Sequence, residues 1–220
     1  MRSPLSLPSL TSLLLAPTRF FASPAWLQKT PQIFLVLWLS RIAYTLKRID
    51  KEIFRAGISK PRPGWEDLGP WLTESWLHYW AFALVLGALN GLIFWLLGGW
   101  WFRKRLEWSG VAQPDPALVR PVYMYQDLVA SGPSVLIAIV ETLVYANYAE
   151  AWNAEEVWSS TVLIFLFWSC FTSYKAAITA FGESSKWKAR LWFLILPIMV
   201  YVFAIGALGV FYGFFGSSAT

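Results

Sequence analysis

Three charged side chains fall inside apolar stretches of this chain: Arg41, Glu141 and Lys175. A charge in hydrocarbon is costly unless it is paired, hydrated or able to reach the interface, so such residues are the first places to look for function. Lys175 lies about seven residues from the end of its apolar run, and its long stem lets the ammonium snorkel to the headgroups. Glu141 has no such escape. Arg41 lies about ten residues into the first expected helix. If both helices start from the same side, Arg41 and Glu141 differ in depth by roughly 6 Å, which an arginine spans. The expectation is an Arg41–Glu141 ion pair that holds the first helix to a bundle. The alternative is a protonated or hydrated Glu141 with a snorkelling Arg41.

Other reactive types are sparse. The single histidine, His78, and the single cysteine, Cys170, are too few for a structural zinc site, which takes four such ligands. His78 reads as an interfacial side chain and Cys170 as packing. Asp115 and Asp127 flank a basic loop without paired-acid spacing for a metal. No G-x-S-x-G, H-E-x-x-H, P-loop or dinucleotide fingerprint occurs. These residues point away from an enzyme and imply no cofactor.

The elements that must carry these residues are membrane helices. Of 220 residues, 57% are hydrophobic and 14% charged, against about 45–50% and about 25% in soluble domains. Fifteen tryptophans exceed what a soluble monomer could hide, and such hydrophobicity excludes disorder. A span needs roughly 20 apolar residues. The fold class read from this is all-α, a polytopic bundle of five helices at about 31–56, 77–99, 128–148, 157–181 and 191–215. Four are clear. The first is weaker: residues 33–46 are apolar, and Ile42, Leu46, Ile49 and Ile53 continue as an amphipathic stretch among basic residues. Residues 1–30 form an arm, and 31–220 form one membrane domain. Pro4 and Pro8 interrupt any signal-peptide core in the arm. Its Leu13–Leu15 and Phe20–Phe21 are expected to lie on the membrane surface.

Lys and Arg counts orient the chain. Loop 100–127 has four, loop 182–190 has three and loop 149–156 has none, so the first two are assigned to the cytoplasm. The net charge of +5 therefore reads as membrane orientation, without nucleic-acid binding. Six Lys/Arg over 47–62 resist this scheme. Either the first helix crosses against the charge rule, which is the reading adopted, or it lies in the interface. Trp76 and Trp80 at one end of the second span, and Trp100 and Trp101 at the other, fit an aromatic belt. Gly87-x-x-x-Gly91 and Gly209-x-x-x-Gly213 are small-residue ridges suited to internal packing. Pro133 and Pro197 are expected to kink their helices.

Four segments carry a family resemblance. They are Leu13–Phe21 (LLLAPTRFF), Gly98–Gly110 (GGWWFRKRLEWSG), Leu118–Leu136 (LVRPVYMYQDLVASGPSVL), and Phe167–Met199 with FWSCFTSYKAAITAF and KARLWFLILPIM. In order and character they resemble the Yip-domain family, the Ypt/Rab-interacting multi-spanning membrane proteins and their bacterial relatives. The resemblance implies five helices, a cytoplasmic N-terminus, no enzymatic activity and a membrane-organising or adaptor role. The chain looks more like the bacterial relatives, which favours a bacterial inner membrane over a eukaryotic endomembrane. Its partners would be the lipid bilayer and other membrane or cytoplasmic proteins. Arg103, Lys104 and Arg105 would form a contact for such a partner or for anionic lipid. The alternative is a small transporter or permease subunit, with Glu141, Asn90 and Asn147 lining a path.

Overall fold

The computed structural model of the chain describes residues 7–23, 30–45, 71, 74–154 and 158–215, and every regular element among them is helical. The elements are α1 (Leu7–Leu15), α2 (Pro17–Ala22), α3 (Thr30–Thr45), α4 (Trp76–Trp108), α5 (Pro116–Val144), α6 (Tyr148–Asn153), α7 (Trp158–Ala180), α8 (Lys186–Arg190), a π-helical turn (Leu191–Ile195) and α9 (Leu196–Phe215). Among the described residues, four stretches are long and apolar enough to cross a membrane: Trp76–Trp108, Pro116–Val144, Leu163–Ala180 and Lys186–Ala207. This is a multi-pass integral membrane protein built from helices. Its outer faces carry the lipid-exposed side chains that such a protein needs, among them Leu92, Leu136, Leu143 and Phe203.

The first expected helix, α3, has 16 described residues, about 24 Å of helix. Its expected amphipathic continuation to residue 56 lies outside the described residues. Within them, α3 lies between α4 and α5 and runs antiparallel to α4. Phe34 stacks on Trp95 with centroids 6.0 Å apart, Leu37 meets Gly91, and Ile42 meets Gly87. The small-residue ridge of α4 is therefore the seat of α3, an internal contact as the sequence suggests. A Cβ at Gly87 would stand 2.7 Å from Ile42 Cγ1 and 2.9 Å from the Ile42 backbone nitrogen. Only glycine admits a backbone that close. The surroundings of Gly209 and Gly213 lie outside the described residues.

The N-terminal arm differs from the expectation. Leu13, Phe20 and Phe21 are buried in the main core, and only Leu15 of the apolar set is strongly exposed. The helix pair α1–α2 turns at Ala16 ahead of Pro17 and folds back onto α7. Phe20 makes edge contact with Tyr125 at 5.2 Å, and Trp168 Nε1 donates to the Leu14 carbonyl at 2.7 Å. An apolar pair such as Phe20–Phe21 suits a lipid surface and a protein groove equally, and here the groove between α5 and α7 takes it.

The two basic connections share one end of the bundle. The Ser185 backbone N–H donates to the Ser109 carbonyl at 2.9 Å, which ties loop 182–185 to the end of α4. At the opposite end, Trp76 Nε1 donates to the Tyr145 carbonyl (2.9 Å) and Trp80 Nε1 to Thr142 Oγ1 (3.0 Å). Tyr79 stacks on Tyr148 at 3.8 Å. The Trp76 and Trp80 indoles thus satisfy their N–H donors while their rings stay in apolar surroundings.

The α3–α4 contact yields a matched pair of variants. Gly87→Ala should lower the melting temperature in detergent by the equivalent of about 1–3 kcal/mol, the cost of overpacking against backbone. Gly206→Ala, where a Cβ meets nothing, should leave it unchanged or raise it. Equal behaviour of the two variants would contradict the contact.

Candidate functional site

Arg41 is the largest fully buried side chain among the described residues, 1% exposed. Its guanidinium lies over the Phe94 ring at 4.1 Å. Nη2 donates to Tyr123 Oη at 3.4 Å and forms an ion pair with Asp127 Oδ2. The expected partner was Glu141. That residue lies fourteen positions further along α5, about 21 Å away along the axis, so an arginine bound at Asp127 cannot reach it. Asp127 is reachable because α5 begins twelve residues before the expected 128.

The early start of α5 has a local cause. Asp115 caps the helix, its side chain accepting from the Ala117 N–H at 2.9 Å, and Pro116 occupies the first turn, where its missing donor and fixed φ are favourable. Residues 116–127, expected to be polar loop, are thus about three further turns of helix, and Tyr123, Gln126, Asp127 and Ala130 share one face of α5 at i, i+3, i+4, i+7 spacing. The Asp-Pro pair was the available signal for this helix start.

The basic triplet divides in the same way. Helix α4 continues to Trp108, beyond the Trp100–Trp101 pair that marks the end of its apolar part. Residues rotate by about 100° each on a helix, so the three cations cannot share a face. Arg103 and Lys104 point outward and both bind Glu107, at 3.2 and 2.7 Å. Arg105 points inward and is only 8% exposed. Its guanidinium sits 4.5 Å from the Phe193 ring centre and 5.3 Å from that of Phe102. No acidic side chain pairs with it among the described residues, and its Nε has no hydrogen-bond partner. The triplet is therefore not one contact surface.

Arg41 and Arg105 line a common cavity of about 350 Å³ with Tyr123, Gln126, Asp127, Ser169, Cys170, Ser173 and Tyr201. Its far wall is Phe193, Leu196, Pro197 and Val200. The π-helical turn builds that wall. Pro197 has no N–H for the Phe193 carbonyl, and its ring would strike that carbonyl in a regular α-helix. The chain widens instead, and the Leu196 N–H reaches back to the Leu191 carbonyl. Such widened turns occur often at functional sites. Ser173 donates to Gln126 Oε1, which leaves the Gln126 NH₂ as a donor. A larger cavity of about 550 Å³ beside α1 is lined by apolar side chains such as Leu13, Leu39 and Phe165 and offers nothing to orient a polar ligand.

The remaining candidates serve the fold. Asn147 caps α6, accepting from the Glu150 N–H at 2.9 Å, while Glu150 Oε2 accepts from the Ala146 N–H at 2.9 Å. Asn90 is half-buried on α4 and is not among the residues lining the cavity with Arg41. Glu141 is buried near the other end of α5. Lys175 lies over Phe171 and Tyr174, at 5.2 and 5.7 Å. His78 stacks on Trp71 at 4.3 Å, with Nδ1 2.9 Å from the Trp71 carbonyl. The buried Cys170 donates weakly to the Leu166 carbonyl. No group of three or more metal-type ligands occurs among the described residues.

Compared with protein-family models, with curated proteins and with solved structures, the chain matches none.

The wall of the cavity gives a test. Pro197→Ala restores the missing donor and lets the π-helical turn relax to α-helix, so it should raise stability by about 1–2 kcal/mol, read as a higher melting temperature. An unchanged or lower value would mean that the proline does not impose the widened turn.

Proposed function

We propose that this protein is a non-enzymatic membrane protein of the Yip-domain type, in which the helical bundle organises membrane or partner proteins by binding. One observation carries this reading: the polar groups once candidates for a transport path are dispersed. Glu141, Asn90 and Asn147 stand apart from the Arg41 cavity. Asn147 is occupied as a helix cap, and Arg41 is held by Asp127 and Tyr123. Charges tied between neighbouring helices stabilise a fixed bundle, whereas an alternating-access device converges its polar groups on a midplane site between repeats. The resemblance in Leu13–Phe21 also supports the Yip-type reading. That segment packs into the bundle through Leu13, Phe20 and Phe21.

Reconstituted proteoliposomes provide the test. With a pH dye inside, they should pass protons no faster than protein-free vesicles, and Glu141→Gln should change nothing. A proton or solute flux that Glu141→Gln abolishes would replace this reading with the transporter.

A further inference from the structure

We propose that the cavity beside Arg105 binds a phosphate-type oxyanion at the basic end of the bundle. Two guanidiniums, Arg41 and Arg105, and one carboxylate, Asp127, line the cavity. Asp127 is committed to Arg41, so the charge of Arg105 has no counter-ion among the described residues. A guanidinium keeps its proton in proteins. The two aromatic faces beside Arg105 offset part of its desolvation, but they leave its planar fork of N–H donors without a matching acceptor. A buried cation in that condition calls for an anion.

The cavity supplies the rest of an oxyanion site. The Gln126 NH₂ is left as a donor once Ser173 holds its oxygen, and Tyr123 adds a hydroxyl. Several donors from different directions suit an acceptor with oxygens on more than one side, as a phosphate has. Depth points the same way. Arg105 lies beyond Trp100 and Trp101, at the level where lipid phosphates reside. The opposite wall is apolar: Leu166, Leu196 and Val200. Val200 is 55% exposed on the lipid-facing side, so a phosphate at Arg105 could carry acyl chains out past it. The same oxyanion chemistry could come from an anionic lipid headgroup or from a soluble phosphate.

The experiment separates these sources. The full chain, purified in neutral detergent, is titrated in turn with dioctanoyl phosphatidate, dioctanoyl phosphatidylcholine and inorganic phosphate. Retained adducts are counted by native mass spectrometry. Phosphatidate should be retained in preference to phosphatidylcholine. Retention without binding of inorganic phosphate identifies a lipid headgroup; binding of inorganic phosphate as well identifies a soluble anion as sufficient. Arg105→Gln should weaken the preference about tenfold, the scale of one charge-assisted hydrogen bond. Arg103→Gln, which removes a neighbouring outward charge, should not. If Arg105→Gln does not fold, Val200→Trp, which narrows the cavity mouth and leaves the guanidinium in place, should show the same loss. The proposal is overturned if no phosphate compound binds in preference to phosphatidylcholine. It is equally overturned if the folded Arg105→Gln or Val200→Trp variant binds as the parent does.

Discussion

The ion pair between Arg41 and Asp127 is the constraint on which the arrangement depends. A fully buried guanidinium on a 16-residue helix must find a carboxylate, and the choice of carboxylate sets the height at which α3 sits against α5. Pairing at Asp127 places Ile42 over Gly87 and Leu37 over Gly91, so the close glycine contact and the ion pair fix the same register from two sides of α3. Apolar contact between helices has little driving force in lipid, where packing and polar pairing decide association.

The same pair shapes the cavity. By engaging Asp127, Arg41 removes the only carboxylate among the cavity-lining residues and leaves Arg105 as the unmatched charge. Pro197 keeps the opposing wall open through the π-helical turn. The outward cations, Arg103 and Lys104, share the one carboxylate of Glu107. Facing into the cavity at the basic end are thus the unmatched Arg105 guanidinium, two aromatic faces and an apolar exit, a combination suited to holding an anionic group.

Much of the fold was legible because lipid imposes a coarse rule. About 20 apolar residues are needed per span, and the runs beginning near 77, 128, 157 and 191 obey it; α7 starts at Trp158 and the α8–α9 helix passes through 191. Helix extensions beyond lipid obey no such rule. The turns at Pro116–Asp127 and Phe102–Trp108 are interrupted by charges (Arg120 and Asp127, Arg103–Arg105 and Glu107), so they read as loop, although Asp115-Pro116 announced a helix start. That one boundary decided the site. With α5 beginning at 128, Asp127 was a loop residue and Glu141 the only acid in view; with α5 beginning at Pro116, Asp127 faces the bundle. The division of Arg103, Lys104 and Arg105 follows from helical rotation once α4 is known to continue past Trp101. The burial of Phe20 and Phe21 had no sequence signal, because a groove and a lipid surface select the same side chains.

The central claim is that Arg41 is bound to Asp127, and a double-mutant cycle tests it most directly. Arg41→Met, Asp127→Asn and the double variant are melted in one detergent, beside a parallel cycle of Arg41→Met with Glu141→Gln. The account predicts a coupling of about 1–3 kcal/mol between Arg41 and Asp127, and one within about 0.5 kcal/mol of zero between Arg41 and Glu141. Coupling to Glu141, with none to Asp127, would contradict it.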